Sequence, residues 1–259
     1  MTRELLVQRD GAVAILTLAR PPHNFFDATM LAGLATAVDE VDRDPNVNSI
    51  VLCSNQKNFC AGADFRSLDR PDPGPIYEQA VKLVSRGKPL VAAINGAAVG
   101  GGLGLSLAAD FRVGDETTRF QANFVSLGIS PGFGLSFTLP RLLGAQAARD
   151  LLLTARSVKA AEAKAIGLLD RLAAPGELMR EALNLAKQIS QQSSAAVIAT
   201  RCLLGFNDRL KFSKAVELEL RQQLPLFAAP DFEEGVKANR EKRAPVFGNW
   251  PENIDGMPG

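Results

Sequence analysis

Between Pro89 and Ala109 the chain carries no charged residue, yet Gly96, Gly100, Gly101, Gly102 and Gly104 all fall within that run. The stretch is long enough to cross a bilayer. Glycine, however, costs about 1 kcal/mol relative to alanine inside a helix, and Asn95 and Ser106 break the apolar character. The run therefore reads as three buried pieces. Leu90–Ile94 is a strand after Lys88-Pro89, Asn95–Gly100 is a glycine-rich loop, and a helix starts near Gly101. A buried strand that feeds a helix through a loop belongs to a parallel sheet with helical cover.

The segments before it fit the same architecture. Glu4–Gln8 and Ala12–Leu18 flank Asp10-Gly11, a strong signal for a two-residue hairpin turn. A helix follows Asp27, which has the side chain of an N-cap. Leu31, Leu34, Ala35, Val38 and Val41 give that helix one apolar stripe. Ser49–Cys53 is a short buried strand, and Asp110–Val113 is a third strand of the parallel set. Arg70–Pro75, with three prolines and a glycine, reads as a loop.

After Gly134 the pattern becomes helical. Helices are expected near Leu135–Leu143, Ala145–Leu153, Lys159–Ile166, Glu177–Ser190, Ser194–Phe206, Ser213–Phe227 and Asp231–Lys242. Asp231 is read as the N-cap of the last, with Glu233 and Glu234 in its first turn. Without an internal repeat or a low-complexity linker, the chain is expected to form one α/β unit.

Composition narrows the chemistry. A net charge of +1, from 29 Lys+Arg and 28 Asp+Glu, offers no general attraction to nucleic acid or an acidic membrane. A single histidine, His23, excludes any site that needs two imidazoles. Cys53, Cys60 and Cys202 are an odd number without a C-x-x-C pair, which argues against a disulfide scaffold or cysteine metal site. Met1–Asp10 lacks the apolar run of a secretory signal. A cytoplasmic protein without a bound metal is expected.

Several motifs fail on inspection. Neither Gly100 nor Gly102 starts a full G-x-G-x-x-G. Gly104-Leu105-Ser106-Leu107-Ala108 misses G-x-S-x-G by its last residue, which leaves Ser106 as a packing residue. Two glycine-containing segments carry more information: Phe59-Cys60-Ala61-Gly62-Ala63-Asp64 and Asn95–Gly104. Each follows a strand carboxyl end, where open α/β sheets place ligands. A helix starting near Gly101 aims free N–H groups at that point, and two converging N–H groups can form an oxyanion hole.

These segments, in this order, resemble the crotonase superfamily, the enoyl-CoA hydratase/isomerase family. The resemblance extends from Arg20-Pro21-Pro22-His23-Asn24 through F-C-A-G-A-D and N-G-x-A-x-G-G-G to Ala109-Asp110-Phe111-Arg112. It continues in Leu127–Gly132, Leu139-Pro140-Arg141, Ala163–Leu169 and Glu241–Phe247. It implies a spiral of β-β-α units over residues 1–190, followed by a helical trimerisation region over 191–259 packed as part of the same unit. It also implies an acyl-CoA substrate, coenzyme A entering only as part of the thioester, no permanent cofactor, and a homotrimer or dimer of trimers. By the same resemblance the backbone N–H groups of Ala63 and Gly101 form the oxyanion hole. Asn24, Ala61, Asp64, Phe65, Gly100, Phe124, Gly132 and Lys242 fall at substrate-binding positions, and His23 on the coenzyme side.

The chain also departs from the pattern. The two positions at which the hydratases carry glutamate hold Gly104 and Phe124, and a position used by isomerases and related members holds Gly132. The resemblance therefore points to an isomerase-like reaction more than hydration, with a non-catalytic acyl-CoA-binding homologue, an acyl-CoA hydrolase or a carbon–carbon-cleaving enzyme as alternatives. Asp69 and Glu78 are the candidate replacement acid/base groups, Asp69 the better placed in sequence. Asn123, Ser126 and Ser130 are polar groups suited to orienting a water or an acyl group.

Overall fold

The computed structural model describes residues 4–65, 72–205 and 208–248. Its first half builds two sheets. Strands β1 (Leu5–Asp10) and β2 (Val13–Leu18) form the expected hairpin, closed by Gly11 and Ala12 because Asp10 still pairs with Val13. The loop thus lies one residue later than the Asp10-Gly11 signal suggests, with Gly11, at φ +60°, as its first residue. Helix α1 (Ala28–Arg43) follows, and Asp27 Oδ1 accepts the Met30 N–H at 2.8 Å, so the expected N-cap is present.

Next come β3 (Ser49–Ser54), α2 (Gly74–Ser85), β4 (Leu90–Ile94), β5 (Ala97–Val99), α3 (Gly101–Leu107), β6 (Phe111–Gly114) and β7 (Arg119–Gln121). The remaining elements are α4 (Leu135–Leu143), α5 (Ala145–Thr154), β8 (Ser157–Lys159), α6 (Ala160–Ala165), β9 (Arg171–Leu172), α7 (Leu178–Ser190), α8 (Ser194–Leu204), α9 (Asp208–Phe227) and α10 (Pro230–Glu241). The larger sheet has the order β1-β2-β3-β4-β6-β9 and is parallel from β2 onward. The smaller sheet has the order β5-β7-β8.

Strands β3 and β4 read as unbroken apolar runs because both faces of the sheet are covered. Val51, Cys53, Val91 and Ala93 pack on one face with Ala182, Leu185 and Ala186 of α7. Their sequence neighbours Ile50, Leu52, Ala92 and Ile94 point to the opposite face, into the main core with Leu31, Leu34 and Val38 of α1. Ser49, fully buried at the start of β3, donates to Ala186 O at 3.0 Å or pairs with Ser190 Oγ at 2.7 Å, so its hydroxyl is satisfied.

Several expectations move. The Arg70–Pro75 loop ends sooner, because α2 starts at Gly74 with Pro75 in its first turn, where a missing N–H breaks no helical bond. Asp231 is not an N-cap: Ala229 caps α10 and Pro230 opens it, while Asp231 Oδ1 accepts the Gly248 N–H at 3.0 Å. Lys159, read as helical, belongs to strand β8. Helix α9 begins at Asp208 rather than Ser213. Among the described residues no helix is long and apolar enough to cross a membrane; the uncharged run holds strand β4 and short helix α3 as read, but the expected loop between them contains strand β5, paired with β7.

The Ala109–Arg112 segment ties the halves together. Asp110 pairs with the buried Arg86 at 2.5 Å and with Arg201 of α8 at 2.8 Å. Arg112 pairs with Asp170 at 2.6 Å. Burial pushes the Arg86 guanidinium down to about 10, still charged at neutral pH beside Asp110.

Candidate functional site

The site is assembled by backbone before any side chain enters. Beyond β3 the Phe59–Asp64 segment lies alongside β5: Cys60 N–H donates to Ala97 O at 3.0 Å, and Val99 N–H donates back to Cys60 O at 3.0 Å. On its other edge Phe26 N–H donates to Gly62 O at 2.9 Å, and Asp64 N–H to Phe26 O at 3.0 Å. This pairing uses the groups on either side of Ala63 and leaves the Ala63 N–H directed away from Phe26. The second segment turns at Gly100, whose φ of +54° and ψ of −120° suit glycine alone. Gly101 is then the first residue of α3, where an N–H has no intrahelical acceptor. A Cβ built on Gly62 would lie 3.4 Å from Gly101 N, so the two segments touch. Among the described residues neither the Ala63 N–H nor the Gly101 N–H makes a hydrogen bond.

Both groups line a cavity of about 190 Å³. One wall is the glycine-containing backbone, with Ala61, Asp64, Phe65 and Gly100. The other comes from α2, α9 and α10, through Ile76, Tyr77, Gln223, Phe227 and Val236. Phe124, Ile129 and Phe133 complete an apolar interior, while exposed Asp72, Asn239 and Arg240 stand at its edge. Phe65, Phe227 and Phe232 pack edge to face or tilted, with ring centroids 5.0 to 5.8 Å apart, which fixes the wall where α9 meets α10.

Ala61, Ala63, Asp64, Phe65, Gly100, Gly101 and Phe124 thus come together as the sequence suggested. Asn24 does not line the cavity. It is fully buried; its Nδ2 donates to Ser54 Oγ at 2.7 Å and Phe59 O at 3.0 Å, and its Oδ1 accepts the Arg20 N–H at 2.8 Å. These bonds engage its side chain in holding the loop. His23 is outside the lining too, with its Nδ1 held 3.0 Å from Asn58 Nδ2. Lys242 is an exposed residue at the end of α10, outside the lining. Asp69 lies outside the described residues, and Glu78 is on the exposed side of α2. Ser106 Oγ donates to Leu103 O at 2.7 Å inside α3, a packing role.

At two of the carboxylate positions that the resemblance singles out, a side chain would crowd a neighbour. A Cβ on Gly104 would sit 2.6 Å from the ring of Phe133. A Cβ on Gly132 would sit 1.7 Å from Tyr77 Oη. Phe124 itself contributes an aromatic ring to the lining.

Three polar residues escaped the reading of the sequence. Tyr77 donates to Gln223 Oε1 at 2.5 Å, and Gln223 Nε2 donates to the Ser130 carbonyl. One turn earlier on α9, Glu219 accepts the Gly134 N–H at 2.6 Å and the Ser136 N–H at 2.8 Å, closing the start of α4. Burial pushes Glu219 up to about 7 despite those bonds. Burial, reinforced by Glu219, raises the Tyr77 phenol far above its ordinary value, so it stays protonated. The signal was present in α9. Phe212, Val216, Glu219, Gln223 and Phe227 follow one helical face, and Glu219 and Gln223 stand on it where an apolar residue is expected.

The geometry offers a donor pair for an oxygen that gains charge, inside an apolar cavity large enough for an acyl group. The sequence profile described as Enoyl-CoA hydratase/isomerase matches residues 8–250. A protein of Rhizobium meliloti (strain 1021), named a probable enoyl-CoA hydratase, is 35% identical over 249 residues, covering 94% of this chain and 97% of that protein. The crotonyl-CoA hydratase of Syntrophomonas wolfei is 32% identical over 252 residues, covering 94% and 97%. A solved enoyl-CoA hydratase/isomerase from Pseudoalteromonas atlantica T6c matches with a TM-score of 0.87 at 27% identity, covering 95% of this chain and 100% of that one. A crotonase-like α/β fold with a helical C-terminal region, and a sequence match over nearly its whole length, place the chain in the enoyl-CoA hydratase/isomerase family.

Proposed function

We infer that the protein processes acyl-coenzyme A thioesters through an enolate, in an isomerase-like rather than a hydratase-like reaction. The observation that carries this reading is the pair of unengaged N–H groups, Ala63 and Gly101, at one wall of an apolar cavity. A thioester carbonyl oxygen between them gains negative charge when the α-proton leaves. Donors fixed in advance in a low-dielectric site stabilise that charge without reorganising. Asp69 is assigned as the group that exchanges the proton. Arg240 at the cavity edge, with Lys242 two residues on, supplies positive charge for the coenzyme's phosphates. Coenzyme A enters as part of the substrate, and no permanent cofactor is needed for this chemistry.

The isomerase-like preference rests on Gly104, Phe124 and Gly132. Hydration needs a carboxylate to activate water, and phenylalanine rings or a tyrosine hydroxyl fill the space at those positions. The same observation favours a second reading, a homologue that binds acyl-CoA without turning it over. For assembly, Leu203, Leu204 and Leu210 on α8 and α9 are 75%, 74% and 64% exposed, apolar surface suited to the contacts of a homotrimer or dimer of trimers. A division into a core over 1–190 and a packed helical region over 191–259 fits the crossing of α9 against α2 and α4.

Exchange of the α-hydrogens of an acyl-CoA with deuterium from solvent, followed by mass spectrometry, tests the reading directly, because it registers the enolate whatever the final product. Exchange is expected in the native protein and its loss in Ala63→Pro, which deletes an N–H the fold does not use. Gly101→Pro is a poorer test, since a Cβ there would lie 2.5 Å from the Phe26 ring. Binding of acyl-CoA without exchange establishes the second reading; exchange unaffected in Ala63→Pro removes the oxyanion role.

A further inference from the structure

Helix α3 carries the Gly101 donor, yet three of its first four residues are glycine and give it no side chain to hold with. What surrounds it sets its place. A Cβ on Gly102 would lie 2.1 Å from Cys60 O, so one side of α3 rests on backbone. The other contacts are aromatic. A Cβ on Gly101 would lie 2.5 Å from Phe26 Cζ, and one on Gly104 2.6 Å from the Phe133 ring. The two rings lean on each other, with centroids 5.8 Å and planes 49° apart. Phe26 also reaches the other donor, because its carbonyl and N–H pair with Asp64 and Gly62, on either side of Ala63. The backbone of Phe26 thus fixes the Ala63 segment while the tip of its ring meets Gly101. The Phe133 ring backs both that ring and α3.

Phe133 does not stand there for local reasons. Its φ of +61° is a conformation that bulky L residues rarely adopt. The next residue, Gly134 at φ +77°, gives its N–H to the buried Glu219 at 2.6 Å, and Glu219 also takes the Ser136 N–H at 2.8 Å. A strained residue persists where its surroundings over-determine it, and such residues gather at functional sites. Here bonds from α9 hold the turn from which the ring reaches α3.

We propose that Phe133 is a positioning residue for the oxyanion hole: with Phe26 it forms an aromatic brace that sets the spacing of the Ala63 and Gly101 N–H groups. The proposal rests on the oxyanion reading of the site and adds the residues that set its dimensions. Two donors serve a developing charge only when both stand at hydrogen-bond distance from one oxygen. A small shift of α3 therefore weakens the second donor while the cavity stays in place. The brace also gives Gly104 a purpose, since only glycine there lets the Phe133 ring lie against α3 without displacement.

Infrared difference spectra of coenzyme A thioesters isotopically labelled at the carbonyl, bound to the full chain, read the two donors without needing turnover. In the native protein the bound carbonyl stretch is expected below that of the free thioester. In Phe133→Gly, which suits the left-handed backbone but removes the ring, that shift should shrink. The rate of α-hydrogen exchange at saturating thioester should fall about 10- to 100-fold. Both rings also line the cavity, so acyl length separates the two roles they could have. A brace predicts the same loss with acetyl, butyryl and octanoyl thioesters. Phe133→Leu, which returns bulk to that backbone, should restore most of the shift and the rate. If Phe133→Gly does not fold, Phe26→Leu decides, with a loss of shift expected. A native carbonyl shift in either folded variant overturns the proposal, as does a loss confined to the octanoyl thioester, which would make the ring only a wall for the chain. A shift without exchange in the native protein removes the enolate reading and leaves the carbonyl shift to judge the brace. No shift in the native protein removes the oxyanion reading, and this inference with it.

Discussion

The two walls of the cavity present polarity by different means. The wall made by Ala61–Phe65 and Gly100–Gly101 presents backbone N–H groups, and its geometry is set by strand pairing and one left-handed glycine. The wall made by α2 and α9 presents side chains, Tyr77 and Gln223, with Glu219 behind them. Backbone donors are insensitive to side-chain replacement, so the first wall is preserved wherever the strands pair. Side-chain groups are set one residue at a time, so the second wall is where a member of this fold changes its chemistry.

The largest effect should come from removing a donor of the first wall. Ala63→Pro is expected to slow α-hydrogen exchange by about 10²- to 10³-fold, the loss of about 3–4 kcal/mol of transition-state stabilisation. A change under tenfold would mean that the backbone wall is not the electrostatic one. Next is Gly104→Glu, which drives a side chain into the Phe133 ring. It should destabilise the protein by about 3 kcal/mol, measured by urea denaturation, and Phe133→Ala in the same chain should recover part of the loss.

On the second wall, Tyr77→Phe leaves the buried Gln223 Oε1 without its donor, and the expected cost is about 1–3 kcal/mol in the same denaturation. A neutral result would show that water replaces the hydroxyl. The smallest effect concerns pH. Glu219 has its pKa raised to about 7 from an ordinary 4.5, so between those values the native state holds a proton that the unfolded chain releases. Its contribution to stability therefore falls as pH rises through that window and is flat above it. Glu219→Gln should gain stability relative to the native protein as pH rises from 4.5 to 7, read as a difference in thermal midpoint. A constant difference would place the ionisation elsewhere.

The same contrast explains what was legible in the sequence. The hairpin, α1, β3, β4 and α4 announce themselves by local pattern: an Asp-Gly turn, a capping aspartate, and unbroken apolar runs. The backbone wall was read from the order of its two glycine-containing segments and their resemblance to the family, since glycine by itself has many structural uses. Strands β5, β7 and β8 were not, since each has three residues and owes its existence to partners far away in the chain. Tyr77 was hidden for a related reason: its value lies in Gln223 and Gly132, and the Tyr77–Gln223 bond spans 146 residues. Asn24 shows the reverse. It sits in a motif that suggested ligand contact, and its bonds to Ser54 and Phe59 engage it within the fold.

The overlap between Gly132 and Tyr77 has a consequence for how such a site changes over time. A side chain at residue 132 and the Tyr77 hydroxyl in its present place would overlap, so one of them must shift when both are present. The same holds for a side chain at residue 104 and the ring of Phe133. Introducing an acidic residue at either position therefore requires a neighbouring side chain to move or to shrink. Packing thus couples these positions, and a designer who wants a carboxylate there does best to replace residues in pairs.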